Sequence, residues 1–336
     1  MNGMLRHSFP LTVFLTVLFG VVLLAPVVAR GGMIRLLTPA DKGVVEGDRL
    51  HLAGEVAGSG VALLAVAGRE RSQVTLRRQQ GRRLFCLAVP LSPGLNSITL
   101  TATTGGGAVV AREGLTVYRR SRLLKPYQEP PAGYHPYTFH LPAAEAFCSP
   151  CHRMAPNLAD LFPATPERSP CLPCHADKGH NRYLHRPAAG GACLLCHLVG
   201  GAGGRYHTSR PDRTGCFLCH SAQERQWNGM KVHHGPTAMG DCTLCHDPHG
   251  AEWPALVRMH PTDLCVNCHD DKKSGLHVIA GFFAKGHPVK GPVNPLKKDR
   301  PFSCAGCHNP HAGDSRNLLN RERGDLNVYC QSCHTL

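Results

Sequence analysis

The chain has 336 residues, and 37 Lys and Arg against 23 Asp and Glu give a formal charge of +14. That balance ordinarily suggests a nucleic-acid or anionic-membrane partner. Sixteen of the seventeen cysteines, however, fall into one repeated spacing, which leaves no pair for a structural disulfide and gives the basic excess another account.

In chain order, Arg6 and His7 precede an apolar run from Phe9 to Ala29 that ends in Val27-x-Ala29. A charged start, an apolar centre and small residues at the end read as an export signal over residues 1–29. About twenty apolar residues could also just span a bilayer as an uncleaved anchor. No cysteine lies near the run, which argues against a lipid anchor.

Residues 31–120 contain no Cys-x-x-Cys and alternate in short strands between Gly, Pro and Asp. The expected strands are Ile34 to Leu37, Leu50 to Val56, Val61 to Ala67, Gln73 to Arg78, Leu84 to Val89, Leu95 to Thr103 and Ala108 to Tyr118, enough for an all-β sandwich. Cys86 is expected to point inward with Leu84 and Ala88 as a buried small hydrophobe, and His51 to point to the opposite, solvated face. The run from Leu91 to Leu100, with Thr38-Pro39 and Gly81 to Phe85, resembles bacterial Ig-like modules of secreted proteins. The resemblance implies an N-terminal Ig-like sandwich and a possible role in assembly. Residues 121–147 form a linker stiffened by Pro126, Pro130, Pro131, Pro136 and Pro142; it carries His135 and His140 and is expected to lie against the cysteine-rich region beyond it.

From residue 148 to 336 the chain is a repeat array. Cys-x-x-Cys-His occurs at Cys148, Cys151 and His152; Cys171, Cys174 and His175; Cys193, Cys196 and His197; and Cys216, Cys219 and His220. It recurs at Cys242, Cys245 and His246; Cys265, Cys268 and His269; Cys304, Cys307 and His308; and Cys330, Cys333 and His334. This spacing is the attachment signature of c-type haem: two thiols on one side of a helical turn meet the two vinyl groups of a porphyrin, and the adjacent His is the proximal iron ligand. Zinc ribbons also use Cys-x-x-Cys pairs, but zinc does not explain a His after the second Cys in eight cases of eight. A thioredoxin-like motif would need a βαβ frame, and none surrounds any copy. Eight covalently bound haems (iron) are therefore expected in about 190 residues, too little polypeptide for an ordinary apolar core. The expected architecture is then one of short helical turns and loops packed on the macrocycles. Eight haems also bring about sixteen propionate charges, for which the Lys and Arg excess is counter-charge, so no nucleic-acid partner is expected.

An iron with one His needs a sixth ligand or keeps a position open for chemistry. Beyond the motifs stand twelve further histidines from residue 135 onward, enough for bis-His ligation throughout. His140, His185 and His234 each stand eight residues before a first motif Cys and His207 nine, while His249 and His311 stand three after a proximal His. A Pro-His so placed cannot reach the far face of its own iron and must serve a neighbour. The favoured distal set is His140, His185, His207, His234, His249, His277, His287 and His311. His180, His135, His233 and His260 stand in reserve. Met154, Met230, Met239 and Met259 could also ligate, but their spacing shows no repeat.

The segments 242–269 and 304–334, each a paired motif with an internal Pro-His, a Leu-containing stretch and a His ahead of it (His234, His287), resemble the doubled Cys-x-x-Cys-His motif of multihaem c-type cytochromes. Residues 148–220 fit less well, because no Pro-His follows those motifs. The resemblance implies an exported, periplasmic or cell-surface electron carrier with no catalytic residue. Its expected partners are other exported redox proteins, an outer-membrane electron conduit among them. The alternative is a multihaem reductase or oxidoreductase with one open haem acting on a small nitrogen or sulfur compound. Against that alternative, no motif ends in Lys in place of His.

Overall fold

The computed structural model describes residues 33–200, 205–278, 286–320 and 330–334; the expected export signal lies outside them. The N-terminal part is all-β. Nine strands run in order: β1 Ile34–Thr38, β2 Gly43–Val45, β3 Arg49–Val56, β4 Val61–Ala67, β5 Glu70–Val74, β6 Arg77–Gln79, β7 Arg82–Pro90, β8 Gly94–Thr104 and β9 Val109–Arg119. A tenth, β10 His135–Pro136, comes from the linker. They form a four-stranded sheet ordered β1-β3-β7-β6 and a six-stranded sheet ordered β10-β2-β9-β8-β4-β5.

Period-two alternation drives this arrangement, since one face of each strand must leave water. Leu52 of β3, Leu63 of β4, Ile98 and Leu100 of β8 and Val117 of β9 are fully buried between the sheets. Gly54 is required where it stands: a Cβ there would lie 2.4 Å from the Phe85 ring and 2.5 Å from the Arg35 carbonyl, so the aromatic ring lies directly over bare backbone. The buried residues of this core all lie within residues 31–120, with Tyr137 packed against them from outside. That fragment should melt cooperatively when expressed alone, and Leu63→Ala should cost it about 2–5 kcal/mol by chemical denaturation. A disordered fragment would mean that the rest of the chain supplies part of its core.

Three expectations are corrected. The segment Gln73 to Arg78 is two strands, β5 and β6, and β2 was not foreseen because three residues carry too little pattern. Cys86 is exposed: the inward residues of β7 include Phe85 and Val89, so the register is one residue from that expected and Cys86 shares the outer face of the four-stranded sheet. The linker lies partly on the sandwich, where β10 pairs in parallel with β2 and Tyr137 packs against the core; only beyond it does His140 reach the motifs.

After residue 120 the elements are short turns, the longest among the described residues a helix at Ser221–Asn228. Dense Gly and Pro forbid more. Among the described residues here only Ala192, Ala251, Leu264 and Ala312 are buried hydrophobics, so these residues form no apolar core of their own. No helix among the described residues is long and apolar enough to cross a membrane. Two small antiparallel ribbons tie it together: β11 Tyr183–Leu184 with β13 Gly250–Ala251, and β12 Val232–His233 with β14 Ala312–Gly313.

Candidate haem-ligating array

Each of the eight motifs closes one α-turn. The backbone N–H of the motif His donates to the carbonyl of the first Cys at 2.9–3.0 Å in all eight, which holds both thiols and the imidazole in one fixed frame. In three motifs the imidazole is oriented from its far nitrogen. Nδ1–H of His197, His246 and His308 donates to the carbonyls of Tyr206, Ala255 and Asn317 at 2.8, 2.8 and 2.7 Å, each nine residues on. Left-handed residues at Tyr206, Ala255 and Leu318 turn those loops back. The bond fixes the tautomer and leaves Nε2 as the free ligand atom.

Opposite these imidazoles stand others. Ring centres are 6.1 Å apart for His140 and His175, 6.0 Å for His249 and His197 and 6.1 Å for His185 and His220. They are 5.9 Å apart for His311 and His246 and 6.1 Å for His234 and His269. The last two pairs are His277 with His308 at 6.4 Å and His287 with His334 at 6.0 Å. Two metal–imidazole bonds of about 2 Å, with roughly 1 Å from each nitrogen to its ring centre, come to about 6 Å. Seven pairs therefore have the span that one iron between two histidines requires, and the residues present fit the group their motifs imply.

The members opposite the motif histidines are also held by their Nδ1 atoms. That of His140 donates to Glu145 at 2.9 Å, a carboxylate 4 % exposed that Arg205 also pairs. Those of His185 and His287 donate to the carbonyls of Pro248 and Pro288 at 2.9 and 2.7 Å, and that of His249 to Asp247 at 3.0 Å. Burial, aided by the neighbouring imidazoles, pushes His175 and His311 down to about 4, keeping both neutral, the form that binds metal.

The repeats are interlocked. The N–H of His185 donates to the carbonyl of His249 at 3.1 Å and that of His234 to the carbonyl of His311 at 3.0 Å, beside the ribbons β11–β13 and β12–β14. Thiols meet between successive motifs as well: Cys171 hydrogen-bonds Cys193, Cys216 bonds Cys242 and Cys265 bonds Cys304, which lowers the pKa of the second thiol in each pair. Cys196 and Cys219 interact electrostatically, as do Cys245 and Cys268. Between the second and the seventh motif, attachment points are thus brought together at Cys171 and Cys193, Cys216 and Cys242, and Cys265 and Cys304.

Five further candidate histidines stand outside these seven pairs. His207 bridges Leu198 on the loop after His197. His260 is 7 % exposed and accepts the Thr262 N–H at 3.2 Å as a helix cap, His135 lies on β10, and exposed His233 donates to the Met230 carbonyl at 3.2 Å. His180 lines a cleft beside the sandwich. Sequence reasoning missed the supporting shell of Glu145, Arg205 and Asp247. One signal was available: Asp247 and Asn309 each stand two residues before the Pro-His histidine and accept its backbone N–H at 3.0 and 3.1 Å.

Asp247 gives a pH dependence. Burial alone would raise its pKa, but hydrogen bonds from the His249 side chain and backbone, with the charge of Arg258, hold it at about 2 instead of 3.8. A carboxyl depressed in the folded state contributes stability that is complete above its unfolded pKa and lost as pH falls through the folded one. Acid titration should therefore remove about 2 kcal/mol between pH 4 and 2, and Asp247→Asn should flatten that part of a denaturation-against-pH curve.

Three stretches, residues 185–225, 234–274 and 294–335, match the family model described as the doubled CXXCH motif. The motifs at Cys148 and Cys171 lie outside the three matches, while the first match takes in the motifs at Cys193 and Cys216, which corrects for that part of the stretch the expectation that residues 148–220 fit less well. A loop closed by Leu198 and His207 stands there, as His246 with Val257 and His308 with Leu319 close the other two. The multiheme cytochrome MtrA of Shewanella baltica (strain OS185) is 26% identical over 108 residues, 32% of this chain and 27% of that protein, so the match spans about a quarter of that relative. Among solved structures, fibronectin(III)-like modules of Clostridium thermocellum CbhA share 14% identity at a TM-score of 0.22, over 26% of this chain and 96% of that one. CopC from Methylosinus trichosporium OB3b shares 17% identity at a TM-score of 0.18, over 26% of this chain and 97% of that one.

Proposed function

We propose that this chain, a multihaem c-type cytochrome with doubled Cys-x-x-Cys-His motifs, holds eight haems as one continuous electron relay, each iron between two histidines. Covalent c-type haem and electron transfer belong to the family; the count, the pairing and the physiological role are the proposal. The observation that carries it is the set of seven imidazole pairs near 6 Å.

The pairs obey a rule. Taking the motifs two by two, the second proximal His of a doubled unit faces the histidine that leads the same unit: His175 faces His140, His220 faces His185, His269 faces His234 and His334 faces His287. The first proximal His faces a histidine of the following unit: His197 faces His249 and His246 faces His311. The same rule assigns His207 to His152. In the last unit the facing residue is His277, from the long interval between Cys265 and Cys304.

When bound, each haem supplies a one-electron couple whose potential depends on ligands, hydrogen bonds and burial. The protein's part is to fill both axial positions, so that small molecules are excluded, and to set the attachment cysteines of successive motifs against one another, so that electrons pass without large movement. Export to the periplasm or cell surface and exchange with other exported redox proteins, an outer-membrane conduit among them, complete the reading.

Intact mass after denaturation should show eight haem increments, and low-temperature EPR of the oxidised protein should be almost wholly low-spin. Six or fewer increments with free thiols would sink the octahaem count. A large high-spin signal with saturable turnover of nitrite or hydroxylamine would decide for an enzyme.

A further inference from the structure

The β-sandwich does not stand clear of the motifs. Its four-stranded sheet turns Arg49 and His51 of β3 and Cys86 and Ala88 of β7 toward the second motif, across a cleft of about 560 Å³ that Cys174 and Asp177 help to line. Contacts at the edge of the cleft and beyond hold the two parts together. Lys178 pairs with Asp48 at 3.3 Å, and the Gln79 amide donates to the Pro150 carbonyl at 3.1 Å.

The second motif is of the kind whose histidine leads straight into a helical turn, as His220 and His269 also do. His197, His246 and His308 give Nδ1–H to a carbonyl nine residues on, from a loop that turns back. After His175 the chain passes directly into a 3-10 turn at Ala176–Gly179, and the residue nine on, Leu184, is taken up in β11 against Gly250. The group beside His175 comes from elsewhere. The His51 ring centre is 5.0 Å away at 73°, and ligand-type atoms of His51, His175 and Asp177 all lie within 4.8 Å of one another. A ring at 5.0 Å in an edge-on pose is too near His175 to sit across an iron from it, a place that His140 fills at 6.1 Å. His51 therefore lies beside His175 and not across an iron from it.

We propose that the sandwich is a wall of the second haem's site and that His51 is its positioning residue, accepting the Nδ1–H of His175 in place of the backbone carbonyl used by His197, His246 and His308. This rests on the reading of His175 as a proximal ligand. An acceptor at Nδ1 makes an imidazole more basic and fixes its plane, and a more basic ligand favours ferric iron. The Ig-like domain would then tune one haem and leave the other seven alone.

The test compares full-length holoprotein with His51→Ala and His51→Gln. In His51→Ala, one low-spin ferric species should change its g-values and one midpoint potential should move upward, with eight haem increments retained. His51→Gln, which keeps an acceptor, should restore the parent spectrum and potential. Unchanged spectra and potentials in His51→Ala overturn the role, as does a Gln variant that behaves like Ala. A shift in Asp177→Asn with none in His51→Ala would give the role to Asp177 and equally overturn it. Peptide mapping of the parent keeps the two readings apart: a Cys171–Cys174 peptide without haem would remove the underlying ligand assignment, not His51's contact with His175.

Discussion

Replacing His311 by Ala should convert one iron in eight from low-spin to high-spin and open it to carbon monoxide at one site per chain. The affected iron should be the one bound by His246, more than sixty residues away in sequence, and not the one bound by His308 three residues before the substitution. The geometry gives the reason. The His311 ring faces His246 at 5.9 Å with planes 10° apart, its backbone N–H is taken by Asn309 at 3.1 Å, and the Trp227 indole stacks on it at 4.2 Å and 8°. A ring so constrained has one place to serve. His249→Ala should do the same to the iron of His197. Loss of a sixth ligand should also raise the midpoint potential of that one site. His260→Ala is the control: it removes a helix cap worth about 1 kcal/mol and should leave the spin count unchanged. An unchanged spin count in both His311→Ala and His249→Ala would contradict the cross-unit rule.

The chemistry of this chain was legible because it is written locally. A Cys-x-x-Cys-His turn needs only five residues, and His249 and His311 could be picked out because their place after a proximal His excludes their own iron. The pairing of histidines was not legible, since it depends on which unit lies against which. That is set by the two-residue ribbons β11–β13 and β12–β14, far too short to leave a period in the sequence. In the sandwich the alternation of β3, β4 and β8 is plain. Cys86 misled because Leu84, Leu87 and Ala88 are only partly buried, so both parities of β7 look apolar, and the covering of Gly54 by Phe85 is what decides between them. His51 was read as solvated because nothing in a β-strand tells which distant surface its outer face will meet.

Removing a haem from the middle of the array should cost far more than removing one from its end. Cys216→Ala with Cys219→Ala should give a protein with seven haem increments in which His185 and His220, which face each other at 6.1 Å, have lost the iron between them. Cys216 touches Cys242 and Cys219 interacts with Cys196, so this motif joins the attachment points on either side. Without it an electron from the first three motifs must cross the whole width of the missing site. Tunnelling falls steeply with distance, so end-to-end transfer, measured with the protein held at one end on an electrode and an acceptor dye at the other, should drop by orders of magnitude. Each half should still take up electrons from dithionite. The comparison protein, Cys330→Ala with Cys333→Ala, also has seven haems but loses a terminal one, and it should keep rapid transfer among the rest. A relay predicts this contrast because every inner site is obligatory, whereas a store of independent haems would lose one eighth of its capacity in either variant and conduct equally. Equal transfer in the two seven-haem proteins would therefore refute the relay even if every iron proved to be bis-His.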